Sequence, residues 1–87
     1  MNITKLGSKF SETRIDNEIV LMNIDTGSFY ALKSTSLAIW DAIDIYKTRA
    51  STIEALTSKF SVTPTRCEAD VDAFLAEIEK AGFVTLG

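Results

Sequence analysis

The chain contains no histidine. That removes the commonest general base, the commonest zinc ligand and the usual partner of a nucleophilic serine or cysteine, so most enzyme classes are hard to assemble from what remains. Its single cysteine, Cys67, cannot form an internal disulfide. Four scattered glycines and one proline supply no phosphate-cradling loop. No apolar run approaches the roughly 18 residues of a membrane-spanning helix. The opening MNITKLGSKF has neither an apolar core of signal-peptide length nor a small-residue cleavage pattern, and the expectation is a cytoplasmic protein with no membrane partner. Positive charge is also scarce: nine Lys and Arg against twelve Asp and Glu leave a net charge of −3, and the acids gather at Glu68, Asp70, Asp72, Glu77 and Glu79. Such a surface repels phosphate.

What is present suits one modest core. The 87 residues are 46% apolar and 24% charged, ordinary values for a globular chain. A single domain over residues 1–87 is expected, with no internal repeat or low-complexity tract.

The most informative stretch is IVLMNIDTGSFYALKSTSLAIWDAI, Ile19 to Ile43. Ile19–Ile24 and Ser28–Leu32 are rich in β-branched, aromatic and aliphatic residues, and Asp25-Thr26-Gly27 between them is a turn cluster whose glycine tolerates positive φ; the pattern predicts a β-hairpin. Ser34 or Thr35 can then cap a helix over about 35–46, in which Leu37, Ile39, Trp40 and Ile43 recur at helical spacing. Upstream, Ser8–Ile15 reads as a weaker strand joined by an Asp16-Asn17 turn, completing a three-stranded antiparallel meander whose third strand is an edge. Residues 1–7 read as a leading segment.

After a polar link, Lys47–Ala50, the run Ser51-Thr52-Ile53-Glu54 reads as a capping box opening a short helix to about Phe60, with Ile53, Leu56 and Phe60 on one face. Thr63-Pro64 caps a third helix. It carries Cys67, Val71, Phe74, Leu75 and Ile78 on one stripe and stops at Gly82, after which Phe83, Val84 and Leu86 return to the core. The predicted fold is α+β and winged helix-turn-helix-like: a three-stranded antiparallel sheet followed by three helices.

Each candidate for chemistry has a plainer structural reading. Cys67 lies near a helix N-terminus but sits on the apolar stripe with no histidine to activate it, and reads as a core or groove-lining thiol rather than a nucleophile. Trp40, between Ile39 and Ile43, reads as core. Asp70 and Glu77 project from one flank of the third helix and Asp72 and Glu79 from the other, which suits a solvated border better than a metal site or an acid/base pair. Helix-turn-helix order raises DNA binding, yet the would-be recognition helix has five acids against Arg66 and Lys80, the wrong sign for a duplex. No nucleic-acid partner, metal or cofactor is expected.

What remains is the edge. An extended peptide could add as a fourth strand, bonding to Ser28–Leu32 with alternate side chains in an apolar groove beside the third helix. Equally, the edge could be covered by the N-terminal segment or by a dimer partner. The oligomeric expectation is a monomer or weak homodimer.

The runs DTGSFYALKSTSLAIWDAI (25–43), STIEAL (51–56) and EADVDAFLAEIEKAGFV (68–84) together resemble the PqqD-like family, the recognition elements for ribosomally made, post-translationally modified peptides. The resemblance covers nearly the whole chain from about residue 8. It implies a compact, non-catalytic winged-helix-like domain that holds the leader of a precursor peptide as an added strand on the third strand, beside the third helix. Carried over by position, the edge is Ser28, Phe29, Tyr30, Ala31 and Leu32, and the helix wall is Cys67, Asp70, Val71 and Phe74. Members that serve coenzyme PQQ synthesis, as peptide chaperones for a radical SAM enzyme, often have a proline-containing turn and an asparagine before the first helix. Here the turn is Asp25-Thr26-Gly27 and Lys33 takes the asparagine position. The resemblance therefore leans towards the stand-alone leader-binding proteins of lasso-peptide pathways, whose partners are a leader-cleaving cysteine protease and a cyclase.

Overall fold

The computed structural model describes residues 1–87. Its elements are β1 (Ile3–Lys5), β2 (Phe10–Ile15), β3 (Glu18–Asn23), β4 (Phe29–Lys33), α1 (Ser34–Tyr46), α2 (Arg49–Phe60), α3 (Pro64–Lys80) and β5 (Val84–Leu86). The central sheet is antiparallel in the order β2-β3-β4 and is followed by three helices. This is the predicted α+β arrangement.

Two short strands were not anticipated. Residues 1–7 are more than a leading segment: β1 pairs antiparallel with β5, Ile3 opposite Leu86 and Lys5 opposite Val84. The expected return of Phe83 and Val84 to the core is observed, both being buried, and the strand they lead is what the N-terminus bonds to. Three residues carry too little periodicity to announce a strand; only the distant partner makes one.

The helix starts also move. Neither Ser34 nor Thr35 caps α1. Lys33 is the N-cap residue; its N–H donates to Ser36 Oγ at 3.0 Å, and the Ser36 hydroxyl donates back to the Lys33 carbonyl at 2.9 Å. The expected box at Ser51 is replaced by a cap three residues earlier, where Thr48 Oγ1 accepts from the Ser51 N–H at 3.2 Å. Ser51 is thus the recipient of the cap. The third helix opens as expected, with Thr63 accepting from Arg66 N–H and Pro64 in the first turn. It ends with Gly82 at φ 85° and Phe83 N–H on Ile78 O, a left-handed termination that glycine makes without strain.

The hairpin turn is built on Asn23. Its Oδ1 accepts from Asp25 and Thr26 N–H, and Gly27 at φ 76° closes the turn. The other end of the same amide donates to Ala81 O at 3.0 Å, tying the tip of the hairpin to the end of α3. The core joins Ile19, Leu21 and Leu32 from the sheet to Ile39, Trp40 and Ile43 of α1, Ile53 and Leu56 of α2, and the stripe of α3. Phe83 is its aromatic hub, with Phe10 and Tyr30 edge-on at 5.5 and 5.1 Å.

Trp40 is fully buried, as expected, and its polar atoms are all engaged. The indole N–H donates to Glu12 at 2.8 Å, Lys5 Nζ sits 3.8 Å over the ring, and the same ammonium donates to Trp40 O and pairs with Asp44 at 2.9 Å. Glu12→Ala would leave a buried donor without an acceptor, a loss of about 1–3 kcal/mol. The expected outcome is a thermal midpoint lower by several degrees with an unchanged far-ultraviolet dichroism spectrum.

Candidate peptide-binding site

An edge strand offers only those backbone groups that point away from its neighbour. The β3–β4 hairpin closes with Asn23 N–H on Ser28 O, and in an antiparallel ladder the bonded pairs alternate. With Leu21 opposite Tyr30 and Ile19 opposite Leu32, Tyr30 and Leu32 turn their N–H and C=O groups towards β3. Phe29, Ala31 and Lys33 turn theirs outward. Those of Lys33 are already taken by Ser36. The vacant edge therefore consists of the N–H and C=O of Phe29 and Ala31, and Ser28 has its N–H on Thr26 Oγ1. The side chains obey the opposite alternation: Leu32 is buried and Tyr30 half-buried as the floor, whereas Phe29 is 69% exposed.

No part of the chain covers this edge. The N-terminal segment, one of the covers considered from the sequence, pairs with β5 instead.

β4 and α3 run alongside one another in opposite senses. The start of β4 is held near the end of α3 by the Asn23–Ala81 bond. Its far end leads through Ser34, at φ 50°, into α1, and there Ser34 and Thr35 meet the first turns of α3 across an apolar cavity of about 380 Å³. Seven of its ten lining residues are hydrophobic: Ala38 and Ile39 of α1, Leu56 and Phe60 of α2, Val62 of the connection, and Cys67 and Val71 of α3. Asp70 is the one charged residue in the lining.

Of the residues expected to form the helix wall, Cys67, Asp70 and Val71 come together at this cavity, while Phe74 lies one turn further along α3, buried and outside its lining. The Cys67 thiol donates to Ile53 O at 3.6 Å, as befits a buried structural thiol. The contributions of α1 and α2 were missed. Phe60 was expected to share one face with Ile53 and Leu56, which are buried, yet it is 49% exposed and forms the lip with Val62. Two apolar residues flanking the end of α2, past its buried stripe, were the available signal.

The two flanks of α3 have different electrostatics. On the flank away from the cavity, Arg49 lays its guanidinium on Asp72 through two bonds of 2.7 and 2.8 Å and reaches Glu68 at 3.3 Å. This hydrogen-bonded pairing raises the Arg49 pKa and holds the Asp72 carboxyl below the usual aspartate range. On the cavity flank, Asp70 meets only Arg66, one turn earlier, at 3.4 Å.

The family model for coenzyme PQQ synthesis protein D, PqqD, matches residues 18–84, from the start of β3 into β5. The chain belongs to the PqqD family. No curated protein matches its sequence. Among solved structures, TbiB1 in complex with the TbiA(beta) leader peptide superposes with a TM-score of 0.82 at 24% identity, over 92% of this chain and 93% of that one. Lasso peptide synthetase B1 complexed with the leader peptide superposes with a TM-score of 0.78 at 19% identity, over 99% of this chain and 100% of that one. At such identities the likeness establishes that this PqqD-family chain shares their fold.

The depressed Asp72 pKa has a definite sign. The folded state holds the carboxylate more strongly than the unfolded chain does, so the Arg49–Asp72 contribution is present at neutral pH and is lost as pH falls from the ordinary value of 3.8 through the lowered folded one. Asp72→Asn is expected to flatten that part of the acid unfolding curve, measured by dichroism across an acid titration.

Proposed function

We propose that this PqqD-family chain binds the leader segment of a ribosomally made precursor peptide by strand addition to β4, and performs no chemistry itself. The observation that carries the reading is the pair of unbonded outward N–H and C=O groups at Phe29 and Ala31, set beside an apolar cavity. A strand laid there gains main-chain bonds from the edge and places alternate side chains against Tyr30, Leu32, Cys67, Val71 and Phe74. Asp70 stands at the rim. That two proteins of this fold were solved holding leader peptides supports the same occupant here.

The wider role follows. Residues 1–87 act as one recognition domain, in the cytoplasm, as a monomer or weak homodimer. The domain presents the core peptide to a leader-cleaving cysteine protease and a cyclase in lasso-peptide biosynthesis. Tethering the leader raises the local concentration of the core at the enzyme to about the millimolar range for a short flexible connection. A second reading, a peptide chaperone for a radical SAM enzyme in coenzyme PQQ or related maturation, is favoured by the family match itself. The two differ in the precursor bound.

Titration calorimetry with synthetic leaders of both precursor types checks this. One of them is expected to bind with micromolar or tighter affinity, and silence with both overturns the reading. Ala31→Pro removes an outward donor without touching a bond to β3, at an edge position that accepts proline. It is expected to weaken binding about tenfold or more, through the lost hydrogen bond and the ring placed in the strand's path. Phe60→Ala, at an exposed lip, is expected to weaken binding with little change in thermal midpoint.

A further inference from the structure

The helix wall of the cleft carries a carboxylate, Glu77, that is held in no ion pair. Asp70 and Glu77 are seven residues apart, which on a helix places them within about 20° of one another and about 10 Å apart along the axis, on the flank that faces the cavity. Asp70 has Arg66 at 3.4 Å. Of the other cations near the cleft, Lys33 pairs with Glu18 at 3.7 Å and Lys9 with Asp25 at 3.9 Å, while Lys80, three residues beyond Glu77, makes no ion pair and stands further round α3 towards solvent. Glu77 has no ionic partner. A strand added to β4 would bring its groove-facing side chains up to this flank and take water from the Glu77 carboxylate. An apolar or acidic neighbour there would leave that charge uncompensated, whereas a base would answer it.

We propose that the peptide recognised by this cleft carries a lysine or arginine set against Glu77, at a fixed spacing from the apolar side chain that fills the cavity. The proposal rests on the leader-binding reading above and adds the chemistry of the ligand. The spacing follows from the geometry. Side chains on one face of a strand recur every second residue, roughly 6.6–6.8 Å apart, so the separation of about 10 Å between the Asp70 and Glu77 levels puts the base two or four residues from the anchor. If the strand adds antiparallel to β4, the base lies on the C-terminal side of the anchor, because the N-terminal end of the peptide is then beside Lys33 and the cavity. The net charge of −3 reinforces the choice at long range.

The test is selection of a displayed random-peptide library on the immobilised protein, followed by titration of the enriched peptides against the wild type, Ala31→Pro, Glu77→Gln and Glu77→Lys. Glu77 is exposed, so these variants keep the core intact. The expected result is an apolar residue and a lysine or arginine at constant separation. Replacing that base by norleucine, or Glu77 by glutamine, should each weaken binding about two- to fivefold, the worth of a partly exposed ion pair, and the two changes together should cost no more than one alone. Glu77→Lys should weaken binding further and be rescued by a peptide with glutamate in place of the base. Binders that lack a fixed base but are lost in Ala31→Pro overturn the inference and leave the leader reading standing. Binders indifferent to Ala31→Pro overturn both.

Discussion

Everything about this cleft depends on where the two ends of the chain go. Asn2 and Gly87 exchange backbone hydrogen bonds, and β1 pairs with β5. A sheet edge is a row of donors and acceptors seeking partners, and a chain terminus is the nearest available strand. By binding each other, the termini leave β4 open. The same ribbon supports the cleft, because Phe83, immediately before β5, is the ring on which Tyr30 of β4 rests.

Trp40 has a comparable double role. It fills the centre of the core, and its indole N–H, ring face and carbonyl hold Glu12 of β2 and Lys5 of β1. One side chain thereby joins the central sheet, the terminal ribbon and α1. A polar satellite of this kind is stabilising only when every member is satisfied, and here each is. The cavity side of α1, by contrast, presents only the small or apolar Ser34, Thr35, Ala38 and Ile39.

How far the sequence revealed this differs from residue to residue. The β3–β4 hairpin, the Thr63-Pro64 helix start and the Gly82 stop are local events, set by turn chemistry and capping within a few residues, and they stand as expected. The Thr48 cap was hidden because Ser51 and Glu54 imitate a box; the competing hydroxyl three residues earlier won. β1 and β5 are created by each other across the length of the chain, beyond the reach of any short window. For the site, alternation along Ser28–Leu32 identified the strand, but which groups face outward follows from the register with β3. Of the wall residues carried over from the family resemblance, Cys67, Asp70 and Val71 line the cavity and Phe74 does not. The lip, Phe60 and Val62, required the angle between α2 and α3.

The engagement of Lys33 by the Ser36 hydroxyl has a further consequence. With that backbone occupied at one end and the Asn23 turn closing the other, the open ledge is only a few residues long and has two hard stops. A guest strand cannot slide along it in steps of two, as it could on a long, featureless edge. On the leader-binding proposal the protein would act as a ruler, gripping one place on the guest and leaving the number of residues from there to the reacting segment to the guest alone.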